Sequence, residues 1–184
     1  MIRLYLCDVR SIDAEKALDE VSPARREKAL RLKNADDRRR SLAAALLMKK
    51  VLGTDETKTR DNGKPYVDGA EFSLSHSGDI AVLAVADCPV GVDIEKLRPC
   101  NMRLAERYFS PAECAAIARS DAPDREFTRA WVQAESRVKC SGKGISGLGR
   151  TASDACYTQS LTRGEYELAV STTKDAGDVE IISI

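Results

Sequence analysis

Residues 72–96 read FSLSHSGDIAVLAVADCPVGVDIEK, and this stretch has the pattern of three successive β-strands. Two apolar runs, at residues 72–75 and 80–86, are separated by Ser77-Gly78-Asp79, which is typical of a hairpin turn. Pro89 breaks the second run, and a third strand is expected at residues 90–95. The stretch therefore predicts a β-hairpin followed directly by another strand.

Two helices are predicted before this β region. Ser22 is a good N-cap and Pro23 suits the first helical position, so a helix is expected to begin there and to run to about residue 33. A second helix is expected to restart at residues 34–37 and to end at Gly53, a typical C-terminal cap.

Further helices are predicted after the β region, at residues 102–108 and from Ser110, where the pattern Ser-x-x-Glu matches a capping box. A longer helix is predicted at residues 124–140. Its apolar residues recur at intervals of four, three and four, as expected for one buried stripe. The stripe consists of Phe127, Trp131, Ala134 and Val138.

The order of these elements indicates an α+β protein. Residues 1–10 read as a first strand, and closing strands are expected at residues 166–171 and 179–184. Each half of the chain runs from helices to strands, which favours two similar α+β lobes face to face. Residues 97–101 look like the link, so the predicted lobes are residues 1–98 and 99–184.

Composition excludes several classes of protein. The chain has 184 residues, 43% of them hydrophobic and 32% charged, which argues against disorder. A net charge of zero argues against a general nucleic-acid binder. No run approaches the roughly 18 apolar residues of a membrane span, and the first ten residues are too short and too charged for a secretory signal. We expect a soluble, cytoplasmic protein that binds neither nucleic acid nor membrane.

The six cysteines and the single histidine argue against a zinc site. The chain contains no C-x-x-C pair and too few histidines for a Cys/His site. Reduced, scattered thiols are the favoured interpretation, because 184 residues can build a core without disulfides.

Positive charge is concentrated in residues 22–50, which carry ten basic side chains and three acidic ones. The segment is therefore +7, and the rest of the chain is −7. Two interpretations stay open: solvated helix faces, or a docking surface for phosphates or an acidic partner.

Asp93 and Glu95 form the first candidate functional group. Alternate residues of a strand share a face, so these carboxylates point the same way, about 7 Å apart. A hard cation such as Mg²⁺ would suit them. The solvated face of an edge strand is an equally good interpretation from the pair alone.

Glu135 and Lys139 form the second candidate group, since residues four apart share a helix face. A surface ion pair is the simpler interpretation of this pair. The loop SGKG at residues 141–144 supplies a cation and backbone amides, but it lacks the spacing of a Walker motif. His76, flanked by Ser75 and Ser77, could bind a phosphate or could cap its own turn; no nucleophile elbow for a serine hydrolase is present.

Together these motifs resemble the 4′-phosphopantetheinyl transferases of the larger, Sfp type. The order and spacing of the motifs match from about residue 20 to residue 150. The matching motifs are SPARREK at 22–28, GKP at 63–65, FSLSHS at 72–77, GVDIE at 91–95, YFSPAE at 108–113, WVQAESRVK at 131–139 and GKG at 142–144.

The resemblance implies a pseudo-dimer of two α+β lobes with the site between them. It implies transfer of phosphopantetheine from coenzyme A to a serine of an apo acyl or peptidyl carrier protein, with release of adenosine 3′,5′-bisphosphate. With both lobes in one chain, the enzyme is expected to work as a monomer.

The resemblance also implies roles for individual residues. Asp93, Glu95 and Glu135 would ligate Mg²⁺, and Lys139 would contact the phosphates and assist the leaving group. Glu135, directly or through a water, is the expected base. Coenzyme A would be contacted by Arg25, Lys28, Arg40, Ser41, Lys64, Ser75 and His76. His76 is also expected among the catalytic residues, with Glu135 and Lys139.

One position departs from the pattern. Ala134 stands where the family usually has a lysine immediately before the helix glutamate. The departure leaves a second hypothesis, a non-catalytic coenzyme A or nucleotide-binding module on the same fold. The identity of the carrier stays open.

Overall fold

The computed structural model describes residues 1–142 and 156–184. The first part of the chain begins with a strand, a 3₁₀ turn and three helices, and continues with four strands. These elements are β1 (Ile2–Asp8), the 3₁₀ turn (Val9–Ser11), α1 (Ala14–Glu20), α2 (Pro23–Arg31), α3 (Ala35–Leu52), β2 (Lys58–Thr59), β3 (Pro65–Tyr66), β4 (Glu71–Ser77) and β5 (Ile80–Ala86).

The second part continues with a strand, three helices and three closing strands. These are β6 (Val90–Lys96), α4 (Met102–Tyr108), α5 (Pro111–Arg119), α6 (Pro123–Ser141), β7 (Tyr157–Arg163), β8 (Tyr166–Thr172) and β9 (Val179–Ser183). The α+β class is confirmed, and so are the predicted hairpin of β4 and β5 and the following strand β6. None of the helices in the described ranges is long and apolar enough to span a membrane.

The helix caps follow the sequence signals. The Ser22 hydroxyl accepts a hydrogen bond from the backbone N–H of Arg25, and Pro23 is the first residue of α2. The Ser110 and Glu113 side chains form the reciprocal capping box of α5. Gly53 ends α3 with a positive φ of 75°, a conformation that glycine adopts without a steric cost.

The strands form two main sheets, in which the order of the strands differs from their order along the chain. One sheet has the order β4-β5-β1-β9 and the other the order β6-β8-β7, while β2 and β3 form a separate short pair. β6 pairs antiparallel with β8, and β9 returns to pair parallel with β1. The first sheet therefore takes its edge strand β9 from the other end of the chain, and the second sheet joins β6 to two strands that follow α6. The lobe boundary between residues 98 and 99 stays a prediction, as does the similarity of the two lobes.

The two sheets pack face to face around a shared apolar core. The inner face of β1 and β5 contributes residues such as Leu4 and Val82, and β6 and β8 contribute residues such as Val92 and Val170. The opposite face of β1 and β5 packs against α3, where Leu83 contacts the cluster around Met48. Helix α6 packs against β6 and β8. This layering brings the edge strands β4 and β6 of the two sheets side by side.

Candidate active site

Three serines of β4 join the two sheets at this edge. The Ser73 hydroxyl accepts a hydrogen bond of 3.0 Å from the backbone N–H of Val92. Two residues further along β4, the Ser75 hydroxyl donates to Asp93 Oδ1 at 2.7 Å. The next alternate residue, Ser77, donates to Glu95 Oε2 at 2.8 Å. Serine side chains thus connect β4 to β6 where the two strands belong to different sheets.

Asp93 is the more buried of the two β6 carboxylates, with 4% of its surface exposed. Its Oδ1 accepts a second hydrogen bond, of 2.6 Å, from Lys139 Nζ, which forms an ion pair with it. Its Oδ2 is buried and has no hydrogen-bond partner in residues 1–142 and 156–184. Burying a carboxylate oxygen without a partner is costly, so this atom is an unusual feature of the fold.

Gly91 explains how α6 reaches β6 so closely. A Cβ atom at this position would lie 2.0 Å from the Ser136 carbonyl oxygen and 2.3 Å from the Cys140 backbone nitrogen. Only glycine permits this approach of the two backbones. The close contact brings Lys139 of α6 within hydrogen-bonding distance of Asp93.

Helix α6 is buried on two sides, and the sequence pattern predicted only one of them. Phe127 and Trp131 pack in an aromatic cluster with Phe109, as the apolar stripe suggested. A second side contains Thr128 and Ser136, both fully buried. Because these two side chains are polar, the pattern of apolar residues did not predict that this side is buried.

Glu135 lies beside the two carboxylates of β6. Burial raises the pKa of Glu135, and the negative charge of Asp93 raises it further; Lys139 acts in the opposite direction and Glu95 adds a smaller increase. Among the described residues, no three histidine, cysteine or acidic side chains converge into a ready-made metal cage. The three predicted metal ligands are thus neighbours without forming a closed cluster.

A cavity of about 550 Å³ opens next to Glu135 and Lys139. Its wall also contains three cations from the first part of the chain, namely Arg25, Lys28 and Lys64. Five of the predicted site residues therefore line one cavity. A concave site with four converging cations and one carboxylate is suited to a small molecule with several phosphate groups.

The three cations of the first part are held differently. The Arg25 guanidinium donates to the Asp55 carbonyl oxygen at 2.7 Å, whereas Lys28 is exposed. Lys64 Nζ donates to the carbonyl oxygens of Val90 and Cys140, at 3.0 and 3.3 Å. Burial lowers the pKa of Lys64.

Other predicted contacts lie outside the cavity wall. His76 lies on β4 with part of its surface open to solvent, while protein packed on the other side of its ring displaces water. This partial desolvation lowers the pKa of His76, and the charges of Arg40 and Lys139 lower it further. Arg40 donates to the Gly78 carbonyl oxygen at 3.2 Å and to Asp37 Oδ1 at 2.6 Å. Ser75 is buried, and its hydroxyl also accepts a 3.1 Å hydrogen bond from Lys139. Residues 143 and 144 of the predicted phosphate loop lie outside the described residues.

Two features of the site were missed by the sequence analysis. The alternation of Ser73, Ser75 and Ser77 was a visible signal, but their common partner strand β6 belongs to the other sheet, so strand pairing does not reveal the contact. The second missed feature is Arg98, whose guanidinium lies 5.0 Å from the centre of the Trp131 ring. The positive charge of Arg98 lowers the pKa of Glu135.

Comparison with known proteins gives a consistent result. Residues 89–181 match the sequence model of the 4′-phosphopantetheinyl transferase superfamily. The chain is 31% identical to 4′-phosphopantetheinyl transferase psf-1 of Bacillus pumilus, in a match that covers 99% of this chain and 95% of the relative. It is 31% identical to 4′-phosphopantetheinyl transferase Sfp of Bacillus subtilis, over 72% of this chain and 65% of the relative. It is 34% identical to 4′-phosphopantetheinyl transferase AcpT of Escherichia coli O157:H7, over 91% of this chain and 86% of the relative.

Proposed function

Because the chain belongs to the 4′-phosphopantetheinyl transferase superfamily, we propose that it transfers the phosphopantetheine group of coenzyme A to a serine of an apo acyl or peptidyl carrier protein. One observation carries the proposal at the level of this chain. The cavity between β4 and α6 has four cations and Glu135 in its wall, and Glu135 lies beside the carboxylates of β6.

Coenzyme A fits the charge of this cavity. Its pyrophosphate and its 3′-phosphate are anionic, and Arg25, Lys28, Lys64 and Lys139 present positive charge to the same space. Lysines and arginines bind phosphate oxygens through charge-assisted hydrogen bonds. His76, Arg40, Ser41 and Ser75 are proposed as further coenzyme A contacts near the cavity.

The carboxylates beside the cavity fit Mg²⁺. Asp93 Oδ2 is a buried oxygen without a hydrogen-bond partner in the described parts of the chain, as expected for an oxygen that serves as a ligand to a cation. Mg²⁺ usually binds one or two carboxylates together with substrate phosphates, so a closed protein cage is not required. Asp93, Glu95 and Glu135 would hold the ion, which would supply positive charge to the pyrophosphate oxygens.

The residues of the chain then have defined tasks in the transfer. The carrier serine oxygen forms a bond to the phosphorus that carries the pantetheine group, and the bond from that phosphorus to the bridging oxygen breaks. Adenosine 3′,5′-bisphosphate leaves with this oxygen. Lys139 stabilises the negative charge on the phosphoryl oxygens and on the leaving group.

Glu135 is the proposed acceptor of the serine proton, directly or through a water. In the metal-free site, burial and the negative charge of Asp93 both raise the pKa of Glu135, which favours proton uptake. A cation held by the same carboxylate would lower this pKa, so the route through a water has equal weight with the direct one. The direct and the water-mediated routes place the proton on the same carboxylate. We also propose that the enzyme works as a monomer, because both sheets belong to one chain, and that it acts in the cytoplasm.

Intact-mass analysis of carrier proteins tests the proposed function. The protein is incubated with coenzyme A, Mg²⁺ and a panel of apo carriers from fatty-acid, polyketide and peptide synthesis. We expect at least one carrier to gain the mass of one phosphopantetheine group, located on a serine. Tight binding of coenzyme A without a mass gain on any carrier would instead support the non-catalytic module.

A further inference from the structure

We propose that Ser77 is a positioning residue that holds the Glu95 carboxylate in place for a divalent cation. The inference rests on the proposed function, because it assigns a task to a side chain beside the same site. The supporting observation is the hydrogen bond of 2.8 Å from the Ser77 hydroxyl to Glu95 Oε2.

The direction of this hydrogen bond is set by a second contact. The Ser77 oxygen accepts a hydrogen bond of 3.1 Å from the backbone N–H of Lys96. With a backbone donor fixed on its oxygen, the hydroxyl has one proton to give, and Glu95 receives it. Ser77 therefore restrains the rotation of a half-buried carboxylate that would otherwise sample several rotamers.

The restraint comes from the opposite sheet. Glu95 is a residue of β6, in the sheet β6-β8-β7, whereas Ser77 is the last residue of β4, at the edge of the other sheet. The carboxylate orientation thus depends on how the two sheets dock. Partners that orient metal ligands in this way tune affinity, although they never touch the ion.

The neighbouring serines supply a matched control. Ser75 is unsuitable as a test because its hydroxyl contacts both Asp93 and Lys139. Ser73 makes the same kind of cross-sheet contact, but its partner is the backbone N–H of Val92 and no carboxylate. Ser73→Ala therefore removes a β4–β6 hydrogen bond without releasing a proposed metal ligand.

Binding of Mn²⁺, followed by electron paramagnetic resonance in the presence of coenzyme A, tests the proposal without relying on turnover. Mn²⁺ prefers the same oxygen ligands as Mg²⁺. We expect Ser77→Ala to weaken Mn²⁺ binding by about 10- to 100-fold. Ser77→Thr, which keeps the hydroxyl, should retain wild-type binding, and Ser73→Ala should weaken Mn²⁺ binding far less than Ser77→Ala does. Melting temperatures should fall in both alanine variants, because each loses a cross-sheet hydrogen bond.

Three results would overturn the proposal: wild-type affinity in Ser77→Ala, an equal loss in Ser73→Ala, or no binding of Mn²⁺ by the wild-type protein. Its failure is distinguishable from failure of the proposed function. If the wild-type protein loads no carrier but Ser77→Ala alone weakens Mn²⁺ binding, the positioning role stands and the transferase proposal fails. If carriers are loaded and Ser77→Ala binds Mn²⁺ normally, the reverse holds.

Discussion

His76 is the single histidine of the chain, so its ring protons can be followed by NMR without assignment. Desolvation and the charges of Arg40 and Lys139 keep the pKa of His76 below its usual value of 6.5. We therefore expect a neutral ring at pH 7 in the ligand-free protein. Phosphate oxygens nearby would favour the protonated ring, so coenzyme A should raise the pKa measured by NMR titration.

The same shift has a consequence for stability. Because the pKa of His76 is lower in the folded than in the unfolded protein, the unfolded state takes up the proton first as the pH falls below 6.5. The neutral ring therefore makes its full contribution to stability above pH 6.5, and this contribution decreases as the pH falls from 6.5 to the pKa of the folded protein. In urea titrations at several pH values, His76→Gln should remove this part of the pH dependence. A pKa at or above 6.5 that coenzyme A leaves unchanged would contradict both expectations.

At the scale of the element, the contact between α6 and β6 depends on one missing side chain. Gly91→Ala would place a methyl group 2.0 Å from the Ser136 carbonyl oxygen. The obstacle is backbone, so the helix itself must move. We expect a loss of at least about 1–3 kcal/mol in the free energy of unfolding, measured by urea denaturation.

The same variant should also lose activity, since α6 carries Glu135 and Lys139 to the carboxylates of β6. Ser183→Thr is the control, because it adds a methyl group to an exposed strand position. A Gly91→Ala protein with wild-type stability and transfer would show that the close approach of α6 and β6 is unimportant.

Elements with short-range signals were predictable from the sequence. Turn residues, capping side chains and apolar runs act within a few positions, which is why the β4–β5 hairpin and the start of α5 were predicted correctly. Helix α1 and strand β7 were missed. β7 is largely polar and exposed, and pairing with β8 positions it, a non-local interaction that leaves little local trace.

The candidate site shows the same limit. The shared face of Asp93 and Glu95 follows from strand periodicity, and the structure has both side chains hydrogen-bonded to alternate serines of β4. The pairing of β6 with β8, and the contact of β4 with β6 across two sheets, depend on the whole fold. Local sequence patterns therefore could not predict which serine of β4 binds which carboxylate of β6.

At the scale of the whole molecule, the zero net charge combines two regions of opposite sign. Several cations of the basic segment 22–50 pair with acidic neighbours on the surface, as Arg26 does with Asp19 and Arg40 with Asp37. Arg25 and Lys28 instead line the cavity. The positive charge of the segment is thus used partly for the helix surface and partly for the proposed coenzyme A site.

Glu135 lies in the cavity wall and beside the carboxylates of β6, so a substitution at this residue tests the proposed transfer reaction. The decisive measurement is the single-turnover rate of carrier loading, by mass spectrometry, for the wild-type protein and for Glu135→Gln. Glutamine keeps the size of the side chain and removes charge repulsion from Asp93, so the variant should fold at least as stably. We predict that the wild-type protein loads a carrier and that Glu135→Gln does so at least about 100-fold more slowly. Equal rates in the two proteins would contradict the role of Glu135, and a wild-type protein that binds coenzyme A but never loads a carrier would contradict the proposed function.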